Sequence, residues 1–139
     1  MSLFVLDTDI LSLYWEGEEA VRQRVDARPA EELAITVISV EEQLSGWYSL
    51  IRQAKRPPQR AQAYRRLADC VLYLAGWRIL PYTEAAMTRV QELQGQKLNV
   101  GQMDLRIAAI TLEHGGTVVT RNLRDFQRIP GVTCENWAS

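Results

Sequence analysis

Short apolar runs that alternate with amphipathic stretches constrain the fold of this chain more than any other feature. The runs cover residues 3–6, 33–38, 79–80 and 117–120, and residues 132–133 form a candidate fifth. Continuous apolar runs of this length are typical of strands buried on both faces, as in parallel sheets. Strands that alternate with helices predict a three-layer α/β/α fold, with a parallel sheet of four to five short strands and helices on both faces.

Apolar residues at helical spacing and helix-breaking residues predict six helices between these runs. Pro57 and Pro58 are expected to separate the third helix from the fourth, in which Tyr64, Leu67, Val71 and Leu72 are expected to point inward. With no repeat or linker in the sequence, residues 1–139 are predicted to form one domain. The predicted helices cover residues 9–15, 18–28, 39–51, 59–75, 84–93 and 102–113, with Thr83 capping the fifth.

The cysteine and histidine content narrows the kinds of metal site that this chain can build. Cys70 and Cys134 form no CxxC pair, so we expect reduced thiols in a cytoplasmic protein. With His114 as the single histidine, a site built mainly on imidazole is excluded, and oxygen ligands favour Mg²⁺ or Mn²⁺. The longest near-apolar stretch, residues 33–40, is far shorter than the ~18 residues that a membrane span requires, so no membrane segment is expected.

Four acidic residues stand close to the predicted ends of strands. Asp7 directly follows the first run, Glu42 lies in the first turn after the second, and Asp125 follows the fourth. Asp104 lies in the first turn of the helix that leads into the fourth run. Right-handed crossovers bring the carboxyl ends of parallel strands to one edge of the sheet, where ligands bind. We therefore expect these four acids to form a carboxylate cluster that requires a cation to stay fully ionised.

Each acid except Asp7 also has an ordinary structural interpretation. Ser39 and Glu42 match a capping box, in which the glutamate bonds the backbone of the capping residue. Asn122 is a natural N-cap with Asp125 at the third helical position, and Asp104 complements a helix dipole. An acid directly after an all-apolar strand is an unusual core residue, so Asp7 favours a functional role.

Four segments resemble the four motifs of PIN-domain nucleases, in the family's order and with similar spacing. They read LDTDIL at residues 6–11, ISVEEQLSG at 38–46, DLRIAA at 104–109 and VTRNLRDF at 119–126. The closing residues 129–132 and Trp137 are similar to the tail of VapC-type toxins, the ribonuclease halves of bacterial toxin–antitoxin pairs. The resemblance implies a PIN-like fold and an endoribonuclease that hydrolyses RNA phosphodiester bonds and inhibits translation or growth.

The resemblance also implies a role for each matching residue. Asp7 and Asp104 are expected to bind Mg²⁺, for which Mn²⁺ can substitute, and Glu42 and Asp125 to hold water or a second ion. The side chains expected to support them are Thr8, Thr120 and Asn122. Where the family commonly has an apolar residue after the helix acid, this chain has Gln43, so Glu41 stays an alternative to Glu42. Gly46 matches the family glycine four places after Glu42, which favours Glu42.

Basic and aromatic residues between positions 9 and 75 suggest macromolecular partners. Six cations and no acid occur between Arg52 and Arg66, and Arg52, Lys55 and Arg56 are predicted to contact RNA. Solvated helix faces and buried aromatics are the alternative. The helices over 9–28 and 39–75 are expected to form a cleft for an apolar antitoxin segment, or part of a homodimer interface. The aromatic side chains in question are Trp15, Trp47, Tyr48, Tyr64 and Tyr73.

Three other classes of protein share some of these features. A DxD phosphatase would use Asp7 as a nucleophile, but its motif requires Thr or Val where this chain has Leu11. A receiver-like module would need an aspartate after the third strand, where this chain has Pro81 and Tyr82. A catalytically inactive PIN-fold binding protein has no reason to retain all four acids.

Overall fold

The computed structural model describes residues 2–139, in which five strands form one sheet. The spatial order is β3-β2-β1-β4-β5, and every neighbouring pair is parallel. Seven helices connect or follow the strands, which confirms the predicted α/β fold. The strands are β1 Phe4–Leu6, β2 Leu33–Thr36, β3 Ile79–Leu80, β4 Thr117–Val119 and β5 Thr133–Glu135. The helices are α1 Thr8–Glu16, α2 Glu19–Asp26, α3 Val37–Gln53, α4 Pro57–Ala75, α5 Glu84–Gly95, α6 Gln102–Glu113 and α7 Leu123–Phe126.

Alternating residues of the strands point to opposite faces of the sheet, and helices cover both faces. Phe4 and Leu6 pack with apolar side chains of α1, α2 and α4, whereas Val5 between them packs with α5 and α6. Because strand side chains alternate with a period of two, each three-residue strand supplies both layers. This arrangement explains why the strands read as continuous apolar runs, and it confirms the predicted helices on both faces.

The junction between β2 and α3 differs from the prediction that a strand runs to residue 38 and a helix begins at Ser39. β2 ends at Thr36, whose hydroxyl accepts a hydrogen bond from the backbone N–H of Ser39 at 3.3 Å. Thr36 is therefore the N-cap, and Val37 and Ile38 form the first helical turn. Glu42 consequently lies in the second turn, too far along the helix for the predicted capping box.

The prediction for the inward face of α4 was wrong for three of its four residues, and only Leu67 is partly buried. Tyr64, Val71 and Leu72 are 52%, 49% and 74% exposed, whereas Ala63 and Cys70 are buried. This helix is apolar on two sides, so its periodicity alone did not identify the core side. The small side chains of the buried side let α4 pack closely against its neighbours.

The remaining differences concern element boundaries. Pro57 and Pro58 begin α4 instead of preceding it, because a proline at the first helical position lacks only an N–H that would have no helical partner. β4 ends at Val119, one residue before the predicted end, and β5 begins at Thr133. Within residues 2–139, no helix is both long enough and apolar enough to cross a membrane.

Candidate active site

A polar cleft of about 470 Å³ opens at the carboxyl ends of β1 and β4. The chain proceeds from β1 outward to β2 and β3, then returns to place β4 on the other side of β1. Such a reversal of strand order separates the loops that follow the two neighbouring strands and leaves a crevice between them. The side chains that line the cleft are Asp7, Thr8, Asp9, Glu42, Asp104, Arg121 and Asn122.

Asp7 is the most deeply buried acid of the cleft, with 6% of its surface exposed. Its backbone N–H donates to the carbonyl of Val119 in β4 at 3.0 Å, which fixes it at the sheet edge. Its Oδ1 accepts a hydrogen bond from the backbone N–H of Ile10 at 2.9 Å, so Asp7 is also the N-cap of α1. This capping role, which was not predicted from the sequence, occupies one carboxylate oxygen of Asp7.

Burial raises the pKa of Asp7 to about 6. Hydrogen bonds from Thr120 and from the backbone of Ile10 act in the opposite direction, and the negative charges of Asp9 and Asp104 add to the increase. A carboxyl group with this pKa is stabilised in its ionised form by any cation that approaches it.

The four predicted acids are coupled electrostatically. Burial raises the pKa of Asp104, which is half-buried in the first turn of α6, and the charges of Glu42 and Asp125 raise it further. Asp104 in turn contributes to the raised pKa of Asp7. Residues from four separate parts of the chain therefore meet here, although Asp125 does not line the cleft itself.

A chain of hydroxyl groups connects Glu42 to the N-terminus of α1. Thr8 Oγ1 donates to Glu42 Oε1 at 2.5 Å, and Thr8 Oγ1 lies 2.9 Å from the buried Ser39 Oγ. Because the Thr8 proton is directed to Glu42, Ser39 is the donor in the second bond. Glu41 is exposed and lies outside the cleft, so the geometry favours Glu42. Gln43 donates to Ser12 Oγ at 2.6 Å, a polar contact between α3 and α1.

Asn122 and Thr120 organise the loop between β4 and α7. The Asn122 side chain donates to Asp125 Oδ2 at 2.9 Å and makes no capping bond to the backbone of α7. Thr120 Oγ1 accepts from the backbone N–H of Asn122 at 2.8 Å. Arg128 lies 3.4 Å from Asp125 Oδ1, so Asp125 already has a cationic neighbour.

Two cleft residues were absent from the sequence prediction. Arg121 donates through Nε and Nη2 to both carboxylate oxygens of Asp9, at 2.6 Å and 2.9 Å. Both residues could have been identified by their proximity in the sequence to predicted site residues. Asp9 lies two residues after Asp7, and Arg121 lies between Thr120 and Asn122.

The cations predicted to contact RNA lie away from the cleft. Arg52, Lys55 and Arg56 are exposed around the junction of α3 and α4. Glu42 and Arg52 are ten residues apart on α3, which corresponds to about 15 Å along the helix axis. Arg60 donates to the carbonyls of Ile51 and Ala54, both at 3.2 Å. One cation of the run therefore satisfies backbone carbonyls at the carboxyl end of α3.

The donor set fits a hard divalent cation that keeps most of its water. Within residues 2–139, no group of three or more His, Cys, Asp and Glu side chains is arranged to enclose a metal ion. Mg²⁺ usually binds through one or two carboxylates together with water molecules, so a site this sparse is compatible with it. The buried Asp7 and the half-buried Asp104 have raised pKa values that a nearby cation would lower.

Comparison with known proteins identifies the family. Residues 4–132 match the family model of the PIN domain. The chain is 31% identical over 131 residues to the VapC ribonuclease Y4jK of Sinorhizobium fredii, covering 90% of this chain and 91% of the relative. It is 30% identical over 142 residues to a tRNA(fMet)-specific endonuclease VapC of Salmonella typhimurium, covering 99% of each.

A solved structure agrees with these sequence matches. The fold is similar to a chain in a toxin–antitoxin complex from Klebsiella pneumoniae, with a TM-score of 0.69 and 26% identity, covering 93% of this chain and 94% of that one. The family model spans the segments that carry all four cleft acids, and the relatives extend over nearly the full chain. This protein therefore belongs to the PIN-domain family and, within it, to the VapC ribonucleases.

Proposed function

We propose that the chain is a Mg²⁺-dependent endoribonuclease that acts in the cytoplasm as the toxin of a toxin–antitoxin pair and inhibits translation or growth. The observation that carries this proposal is the coupling of Asp7, Glu42, Asp104 and Asp125 at the edge of the sheet. Similarity to VapC ribonucleases supports RNA as the substrate. Cys70 and Cys134, free thiols that pack on opposite faces of the sheet, agree with a reducing compartment.

Each residue of the cleft has a distinct task in this proposal. Asp7 and Asp104 would hold the cation, since they are the two acids whose pKa values burial raises. A bound Mg²⁺ supplies positive charge to the attacked phosphate and acidifies water. Thr8 orients the carboxylate of Glu42 toward the cleft, and Asn122 orients that of Asp125. Orientation by such partners limits the conformations that the acids adopt before substrate binds.

The alternatives fit the site less well. A DxD phosphatase would need both aspartates of its motif, but Asp9 is engaged by Arg121 through both oxygens. β3, after which a receiver module would carry its aspartate, is an edge strand that leads away from the cleft to Pro81. A binding protein without activity would need Asp7 only as the N-cap of α1, a task that asparagine performs without the cost of burying a charged group.

We predict that the purified chain cleaves RNA in Mg²⁺ and loses all cleavage in EDTA. Activity should return with Mg²⁺ or Mn²⁺ but not with Zn²⁺, since the site presents only oxygen ligands. The assay uses a panel of labelled RNAs that includes initiator tRNA, because the Salmonella typhimurium relative is named for it. Cleavage that persists in EDTA would contradict a metal-dependent mechanism, and intact RNA under every condition would contradict the proposed reaction.

We infer that the partner is an antitoxin that lies across α1, α3 and α4. A cleft of about 490 Å³ between these helices is lined by Trp15, Trp47 and Arg66, whose guanidinium lies 5.4 Å from the Trp47 ring. On α4, Tyr64 and Leu72 present exposed apolar surface. Apolar peptide segments bind in such aromatic-lined grooves. The structural relative from Klebsiella pneumoniae belongs to a toxin–antitoxin complex, which supports this kind of partner.

Hydrogen exchange measured on the chain alone and on its complex with the antitoxin from its own genome tests this surface. We expect protection by the antitoxin to concentrate on α1, α3 and α4. Measuring the chain alone at two concentrations distinguishes protection by self-association from protection by the antitoxin. Protection in a homodimer increases with the concentration of the chain itself. Protection confined to α5 and α6 would place the antitoxin on the other face of the sheet.

Replacing Arg52, Lys55 and Arg56 together with serine should slow RNA cleavage at low salt by about tenfold. If all three contact phosphates of a single strand, the slope of log affinity against log salt should weaken by about 2, at roughly 0.7 per contact. The matched control is Arg78→Ser, which removes a cation at the amino end of β3, the opposite edge of the sheet. An unchanged rate and slope in the triple variant would exclude these side chains from RNA binding.

A further inference from the structure

Arg121 is the one basic side chain that lines the acidic cleft in the described part of the chain. It follows β4 directly after Thr120 and shares the lining with four acids, Asp7, Asp9, Glu42 and Asp104. RNA is a polyanion, so a cleft lined by carboxylates alone would repel it. A cation within the lining counters this repulsion at the point where the phosphate must approach.

Asp9 holds Arg121 in a fixed orientation and leaves part of its bonding capacity free. The two oxygens of Asp9 engage Nε and Nη2 at 2.6 Å and 2.9 Å, and the Arg121 side chain is 53% exposed. A guanidinium carries five N–H groups in a rigid fork, so three remain for another partner. The same fork binds phosphate oxygens through two parallel hydrogen bonds. The pair is therefore a preorganised donor of hydrogen bonds.

A purely structural role explains less of this arrangement. The pair connects α1 to the loop after β4, but ion pairs this exposed contribute little to stability. Asp7 already connects the same two parts of the chain through its backbone bond to Val119. A second, exposed connection at the cleft adds little to the fold, whereas it positions a cation where the substrate enters.

We propose that Arg121, oriented by Asp9, binds a backbone phosphate of the RNA adjacent to the bond that is cut. Arg121 is then a positioning residue for substrate and Asp9 is the residue that positions Arg121. This inference rests on the proposed ribonuclease function and deepens it, since it assigns substrate binding to a cation inside the cleft as well as to the distant residues 52–56.

The test compares wild type with Arg121→Gln, Arg121→Lys and Asp9→Asn in two measurements. Binding of a fluorescent single-stranded RNA is measured by anisotropy in EDTA over a series of salt concentrations, and cleavage of the same RNA in Mg²⁺ provides kcat and KM. Arg121→Gln should weaken binding and raise KM about tenfold with kcat nearly unchanged. Its salt slope should weaken by about 0.7, the value for one lost phosphate contact on a single strand.

The other two variants separate charge from geometry. Arg121→Lys retains the charge but cannot form two parallel hydrogen bonds to a phosphate. The salt slope should therefore equal that of wild type, while the affinity for RNA falls several-fold. Asp9→Asn releases Arg121 from its fixed orientation but also removes one carboxylate that repels RNA, so KM should increase by a smaller factor than in Arg121→Gln. Thermal unfolding of each variant, measured in parallel, should change by no more than a few degrees.

Specific outcomes would overturn the inference. Unchanged KM and salt slope in Arg121→Gln with a lower melting temperature would show a structural clamp. A lower kcat with unchanged KM would place Arg121 on the reacting phosphate instead of its neighbour. If wild type binds RNA without cleaving it, the proposed activity alone fails, because the binding comparison still decides the role of Arg121. No RNA binding by wild type would overturn both.

Discussion

Replacing Asp7 or Asp104 by asparagine should reduce RNA cleavage by at least about 10³-fold, a loss of ~4 kcal/mol of transition-state stabilisation. Asparagine retains the shape of the side chain but has no negative charge with which to hold a divalent cation. Steady-state cleavage at saturating Mg²⁺ measures the effect, and Asp69→Asn on the exposed side of α4 is the matched control. Full activity in either cleft variant would remove that residue from the metal site.

The same Asp7→Asn variant should make the metal-free protein more stable at neutral pH. The pKa of Asp7 is about 6 in the fold against 3.8 ordinarily, so the native state binds this proton more tightly than the unfolded state. Stability from this group is therefore present below pH 3.8 and is lost as the pH rises toward 6. The difference of about two pKa units corresponds to roughly 3 kcal/mol at pH 7.

Asparagine is as good an N-cap as aspartate, so the bond from Ile10 is retained in this variant. Thermal unfolding in EDTA should show the melting temperature of Asp7→Asn exceeding that of wild type by several degrees at pH 7. The advantage should shrink as the pH falls through 6 and disappear well below pH 3.8, where Asp7 is protonated in both states. Equal melting temperatures at pH 7 would contradict the burial cost assigned to Asp7.

The second large effect concerns Glu42, for which Glu→Gln should reduce cleavage by on the order of 10²-fold, or ~2.7 kcal/mol. Glutamine still accepts the hydrogen bond from Thr8, so the loss would report the charge of the carboxylate and not the integrity of the hydroxyl chain. The melting temperature should change by no more than a few degrees, since Glu42 makes no capping bond in α3.

Glu41→Gln is the matched control for this prediction. Glu41 is the preceding residue on the same helix, is exposed, and lies outside the cleft, so its variant should retain full activity. Loss of cleavage in Glu41→Gln together with full activity in Glu42→Gln would mean that the neighbouring acid performs the function. A loss in both variants would mean that both acids are needed for cleavage, which would contradict the assignment to Glu42 alone.

Two sequence predictions about helices were wrong: the residue at which α3 begins and the side of α4 that faces the core. The capping box at Ser39 was wrong because the hydroxyl of Thr36 begins α3 three residues earlier. The inward face of α4 was wrong because apolar residues occupy two sides of this helix, and the small Ala63 and Cys70 face the core. In both cases the local pattern was compatible with two arrangements, and packing against the rest of the molecule selected one.

The sequence by itself determined the parallel α/β fold and the placement of acids at the carboxyl ends of the strands. Burial on both faces imposes a local apolar composition, and the handedness of crossovers brings these strand ends to one edge. Only the tertiary structure decided which side chains meet at that edge. Asp9 and Arg121 are 112 residues apart and Thr8 and Glu42 are 34 apart. The first contact depends on the pairing of β4 with β1 and the second on the pairing of β2 with β1, and no local pattern encodes this strand order.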